Sequence, residues 1–108
     1  MPQLKLQGVE VNDICKISID MLQEMQELLE CPKNYFTFEC VSSTFVMEGE
    51  IIKTYPTVEV AWFDRGQEIQ DTMAKIITKY IHSAGYKDVD VIFRILEEKR
   101  YYENGEHF

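Results

Sequence analysis

MPQLKLQGVE (Met1–Glu10) and YPTVEVAWFD (Tyr55–Asp64) open the two halves of this 108-residue chain with the same phrase. Pro2 and Pro56 stand half a chain-length apart. After them Leu4 meets Val58, Lys5 meets Glu59 and Leu6 meets Val60. Each stretch is a proline followed at once by alternating apolar and polar residues, the period of a half-buried strand. Leu4 and Leu6 share one face, as do Val58, Val60 and Trp62.

The grammar continues outward from both stretches. In the first half Asn12 or Asp13 offers an N-cap. Ile14, Ile17, Met21, Met25 and Leu28 then recur at helical spacing, with a Glu/Gln/Lys-rich outer face. Cys31-Pro32 stops that helix, because proline disfavours helical geometry in the residue before it. Tyr35 to Val46 is β-branched and aromatic, which predicts one long strand or hairpin arm before a turn at Gly49. In the second half Asp64 and Gln67 have capping-box spacing. Ile69, Met73, Ile76, Ile77, Tyr80 and Ile81 form the apolar stripe, and Ala84-Gly85 supplies a left-handed stop. Val89 to Leu96 reads as a strand. Even the endings match: FVMEGE (Phe45–Glu50) resembles YYENGE (Tyr101–Glu106).

A strand, helix and strand of this length make a right-handed crossover between parallel strands. The expectation is an α+β, two-layer fold: a duplicated β-α-β with a four-stranded mixed sheet and two helices on one face. It forms a single domain over 1–108, with pseudo-repeats of about 1–54 and 55–108. A ferredoxin-like order also reads β-α-β-β-α-β; the half-length symmetry favours the duplicated arrangement. On the last strand Val91, Phe93 and Ile95 lie opposite Ile92 and Leu96, so the helix-free face is also expected to be apolar and to pack against other copies.

The formal net charge of −8, from 19 acidic and 11 basic residues, repels phosphate backbones and anionic bilayers. Nucleic-acid and membrane partners are not expected, and no apolar run reaches the length of a membrane helix. Cys15, Cys31 and Cys40 lack CxxC spacing and follow no export signal. They read as small core or strand residues in a reducing, cytoplasmic protein. No zinc spacing, phosphate loop, GxSxG or Cys-His constellation is present, so no cofactor and no metal is expected. His82 lies where a helix dipole favours it, and His107 lies in the carboxyl-terminal tail.

A Met-Pro start entering a strand, a half-length β-α-β duplication and an aromatic-Asn-Gly tail together resemble the tautomerase superfamily. That group contains 4-oxalocrotonate tautomerase and macrophage migration inhibitory factor, and the chain is most similar to a functionally uncharacterised bacterial branch of it. DRGQEIQDTMAKII (Asp64–Ile77) resembles the Gly-Arg-Ser-x-Glu-x-Lys helix start of short tautomerases, which places Arg65 on a functional arginine. Tyr101 falls on the aromatic that walls the pocket of that family. This chain has Cys31 where some relatives carry a lysine, with Lys33 displaced from it. VNDIC (Val11–Cys15) stands where an arginine is found, and Asp90 and Ile92 replace a tyrosine and an asparagine.

The resemblance implies a homotrimer and an amino-terminal proline as catalytic acid/base. With Met1 removed, Pro2 carries a free secondary amine. An apolar site and nearby arginines disfavour its ammonium form, and the neutral amine can move a proton in a keto–enol shift. Pro56 is an amide and cannot. The implied activity is a tautomerase or isomerase acting on a small carboxylated keto–enol compound, with Pro2 catalytic and Arg65, Arg94 and Tyr101 binding substrate. For Arg94, mid-strand among apolar residues, an ion pair with Glu59 or Glu97 is the competing reading. The alternative for the whole chain is a non-catalytic homotrimeric structural or ligand-binding module on the same scaffold.

Overall fold

Alternation in the first strand and the 3–4 spacing in the first helix put Leu4, Leu6, Ile14, Met21 and Met25 on facing surfaces, and all five are buried. The computed structural model describes residues 1–108. Strands and helices run β1 (Gln3–Gln7), α1 (Val11–Leu29), β2 (Thr37–Val41), β3 (Phe45–Met47) and β4 (Glu50–Ile52). The second half gives β5 (Thr57–Phe63), α2 (Gln67–Ser83), β6 (Asp90–Leu96), β7 (Tyr102–Glu103) and β8 (Glu106–His107). The main sheet has the order β2-β1-β5-β6. β1 is parallel to β2, β5 is parallel to β6, and the two units meet antiparallel through β1 and β5. Each helix therefore joins neighbouring parallel strands, the duplicated β-α-β arrangement. A split βαβ would place another strand between them.

Both helices cover one face. The core joins Leu4, Leu6, Val58, Val60 and Trp62 of the sheet to Met21, Met25 and Leu29 of α1 and Met73, Ile77 and Ile81 of α2. Trp62 is its largest side chain and packs on Phe93 with ring centroids 5.0 Å apart. Burying each such side chain contributes about 1.5–3 kcal/mol of transfer free energy.

The helix-free face is more polar than the alternation in β6 suggests. Ile92 and Leu96 do point there, but Gln3, Lys5 and Gln7 of β1 and Glu39 of β2 share it, because these strands alternate in phase with their buried leucines and Phe38. Exposed apolar surface gathers instead on the β3–β4 hairpin, where Val46 is 62% and Ile51 78% exposed. Tyr35–Val46 is not one strand. The polar, exposed Ser42–Thr44 interrupts it, and Phe45 begins a separate hairpin.

Helix ends also differ from expectation. α1 starts after Glu10 with no side-chain cap, and Asn12 and Asp13 lie inside the first turn. The Asp13 carboxylate accepts instead from the Tyr86 hydroxyl at 2.6 Å, while that hydroxyl accepts the Glu10 N–H at 2.8 Å. The capping box at α2 does not form: Asp64 accepts the Gly66 N–H at 2.9 Å, and Gln67 donates to Asp71 at 2.8 Å. α1 ends through the left-handed Glu30 just before Cys31-Pro32, and Gly85 (φ 101°) ends α2. Cys15 is exposed rather than part of the core, whereas Cys31 and Cys40 are half-buried. No helix is long and apolar enough to cross a membrane.

Candidate active site at the amino terminus

Pro2 immediately precedes β1 and is fully buried. Its carbonyl accepts the Thr37 N–H at 3.1 Å, which extends the β1–β2 pairing by one residue. Proline has no N–H to lose at this position. The β1–β5 register pairs Gln3 with Ala61. One step further puts Pro2 beside Trp62, on the helix-facing side of the sheet.

Burial and two side chains act on the Met1 ammonium. Burial lowers the pKa of the terminal ammonium, the Arg65 guanidinium lowers it further, and Cys31 opposes them. Both lowering effects disfavour the charged amine, by desolvation and by like charge respectively. Arg65 sits between β5 and α2 and forms no ion pair with Asp64 or Glu68. Its guanidinium carbon lies 5.9 Å from the centroid of the Trp62 ring. Arg65 Nε and Trp62 Nε1 are both buried donors without an acceptor. Orphaned buried donors are uncommon and call for an explanation; here two lie side by side, next to the amino terminus.

Tyr101 approaches from the other face. Its hydroxyl accepts from Gln3 Nε2 at 3.0 Å, and its ring packs on Phe63 (5.5 Å) and Phe108 (4.8 Å). The strand beginning at Gln3 thus connects Pro2 to the aromatic cluster. Arg94 is on the side of Tyr101, in line with Gln3 and Ala61 across the sheet, and not on the side of Pro2 and Trp62. It lies on the helix-free face with a terminal guanidinium nitrogen 3.1 Å from Glu59, the ion pair that the sequence offered as its competing role.

Of the residues singled out in the sequence, Pro2 and Arg65 both lie at the chain start, Pro2 buried and Arg65 acting on the Met1 ammonium. Trp62 and Gln3, which contact Arg65 and Tyr101 there, were not singled out. The half-chain repeat carried the signal for Trp62, since antiparallel pairing of the two opening strands brings it opposite Pro2. Hollows of about 300 Å³ and 410 Å³ lie at the far end of the sheet. The first is lined by Gly8, Ser42, Ser43 and Tyr86, the second by Pro56 and Lys87 among others.

Residues 1–107 match the family described as Domain of unknown function (DUF1904). The chain belongs to this family. A DUF1904 protein of Sebaldella termitidis, known from its crystal structure, is 34% identical over 100% of both chains, with a TM-score of 0.92. Beyond DUF1904 the likeness is one of fold. A macrophage migration inhibitory factor-like protein of Entamoeba histolytica aligns over 99% of this chain and 98% of its own, at 12% identity and a TM-score of 0.75. A fused 4-OT, described as an asymmetric trimer, aligns over 97% and 94% at 10% identity and a TM-score of 0.78. This DUF1904 chain thus has the fold of tautomerase superfamily members. No protein of curated function matches it.

Proposed function

We propose that this protein is a tautomerase or isomerase acting on a small carboxylated keto–enol compound, with Pro2 as general acid/base once Met1 is removed. The reading is supported by Pro2, buried immediately before β1, together with the Arg65 cation at the chain start, which with burial lowers the pKa of the Met1 ammonium and would act in the same sense on a Pro2 amine. A neutral secondary amine accepts a proton from carbon or an enol oxygen and returns it to another position, which a keto–enol shift requires. Arg65 takes the substrate carboxylate, and Tyr101, held by Gln3 and packed on Phe63, bounds the chain start from the helix-free side. Arg94 is assigned to its ion pair with Glu59. The working form is a homotrimer in the cytoplasm. The exposed apolar hairpin and the trimeric fused 4-OT of the same fold support self-association.

The test is alkylation by 3-bromopyruvate. In protein lacking Met1, the Pro2 nitrogen displaces bromide and the adduct maps to the amino-terminal peptide. In protein retaining Met1, the Pro2 nitrogen is an amide and stays unmodified. An unlabelled Pro2 in the processed protein at neutral pH refutes a neutral, reactive amine. Light scattering should give three times 12.7 kDa, and a stable monomer contradicts the trimer.

One observation favours a second reading. The hollows of about 300 Å³ and 410 Å³ lie at the Gly8–Pro56 end of the sheet, remote from the amine. A non-catalytic homotrimer that binds ligands there, or serves structurally, uses the same scaffold. In that case ligands protect Tyr86 and Lys87, and removal of Met1 changes nothing.

A further inference from the structure

Cys31 lies within reach of the amino terminus, but Cys15 and Cys40 have no part in the site described above. Val11 and Ile14, like Cys15 and Ser18, are three apart, and Val11/Cys15 and Ile14/Ser18 are four apart, so the four share one side of α1. That side faces Phe38 and Cys40 of β2 across a groove of about 300 Å³. All three cysteines are free, Cys15 exposed and Cys40 half-buried. Burial pushes the Cys40 thiol up, and Cys15 adds to the shift through its own charge, so the two sulfurs share one electrostatic neighbourhood. β2 is an edge strand, paired only with β1.

We propose that Cys15 and Cys40 form a peroxide-sensitive dithiol that closes into an intramolecular disulfide across the α1–β2 groove. The exposed Cys15 is the attacking group, since access decides which of the two thiols a peroxide reaches. Its thiolate attacks one oxygen of a peroxide and the O–O bond breaks. Hydroxide leaves and takes up a proton as water, and Cys15 becomes a sulfenic acid. The Cys40 thiolate then attacks the Cys15 sulfur. The S–O bond breaks, a second water leaves, and the S–S bond forms. The two thiols lose two electrons and the peroxide gains two. Disulfide geometry requires Cα atoms about 4.4–6.8 Å apart, so the link requires β2, an edge strand, to draw toward α1 across the groove that both cysteines line. The same strand holds Pro2 through the Thr37 N–H, so oxidation stiffens the support of the amino terminus.

The experiment treats the full chain with hydrogen peroxide and maps it without reduction. The intact mass should fall by about 2 Da, the peptides bearing Cys15 and Cys40 should be joined, and only Cys31 should still alkylate. Dithiothreitol should reverse all three changes. In Cys40→Ser the reaction should stop at a Cys15 sulfenic acid that dimedone traps, and Cys15→Ser should form no link. Three alkylatable cysteines after treatment, a Cys15–Cys15 link between two chains, or overoxidation of Cys15 without linkage would each overturn the proposal. The wild-type peptide map decides even if a serine variant fails to fold.

Discussion

Pro2 and Pro56 make the same contact. Each is buried immediately before a strand, and each carbonyl accepts a backbone N–H at 3.1 Å from the partner strand of its own half, Thr37 for Pro2 and Asp90 for Pro56. Their backbones are interchangeable, but their chemistry is not. The Pro56 nitrogen is locked in an amide, whereas the Pro2 nitrogen becomes a secondary amine on loss of one residue. The repeat thus supplies its own control for the amine, within one molecule.

Gly8 stands at a tight backbone crossing, and no other glycine of the chain does. It has φ 76°, and a Cβ there would lie 2.4 Å from the Tyr55 carbonyl oxygen, where the chain enters β5. Gly8→Ala should destabilise the protein by about 2 kcal/mol or more, from left-handed strain and displacement of that carbonyl. Urea unfolding of the variant should show a lower midpoint at an unchanged slope; an unchanged midpoint contradicts the crossing.

Tyr80 should ionise late. Its hydroxyl donates to Glu24, which also holds Lys79 at 2.6 Å. That hydrogen bond, then burial, then the charges of Glu24, Asp20 and Glu27 push the phenol up to about 12. The folded state therefore keeps a proton that the unfolded chain loses near pH 10. The contribution to stability is whole below about pH 10 and disappears as pH rises through about 12. Tyrosinate absorbance should show this late step, Tyr80→Phe should remove it, and Glu24→Gln should bring it to lower pH.

The two β-α-β units were legible because period 2 and period 3.6 are local signals carried by Leu4, Leu6, Val58 and the Met21–Met25 stripe. Helix starts were not, because the groups that serve α1 come from across the chain: Tyr86 takes Asp13 and the Glu10 N–H. The break at Ser42–Thr44 was hidden inside a β-favouring run. At the site, Pro2 and Arg65 stood out through the repeat and the family resemblance. Trp62 read only as a core residue, since its place beside Pro2 depends on cross-strand register, which a single strand does not display.

The two arginines should separate cleanly. The Arg94–Glu59 pair is largely solvated, with side chains 59% and 38% exposed. Arg94→Ala should therefore cost less than about 1 kcal/mol in stability and leave carboxylate binding unchanged. Arg65→Ala should weaken pyruvate-type carboxylates by tenfold or more, about 1.4 kcal/mol, with the oligomer intact. Isothermal titration of both variants checks this, and the reverse order of effects would move the anion site to the helix-free face.

In Met1-free protein the Pro2 amine should titrate below the ordinary α-amino value, because Pro2 is buried and Arg65, which lowers the Met1 ammonium, stands at the chain start. Nitrogen-15 chemical shifts of labelled proline, followed against pH in Met1-free protein, report it directly. Arg65→Ala should raise the midpoint, since it removes one of the two lowering causes. A midpoint at or above the ordinary value, about 7.7–8.0, would leave the amine charged at neutral pH and unfit as a base.

The central claim, that catalysis resides in the Pro2 nitrogen, is tested most directly by one comparison: ketonisation of enol phenylpyruvate by protein with and without Met1. Removing Met1 frees the lone pair and leaves the rest of the fold intact, so processed protein should accelerate the proton shift well above buffer and Met1-bearing protein should not. Equal rates for the two forms, or no rate above buffer for either, would contradict the Pro2 mechanism and leave the non-catalytic trimer as the better account.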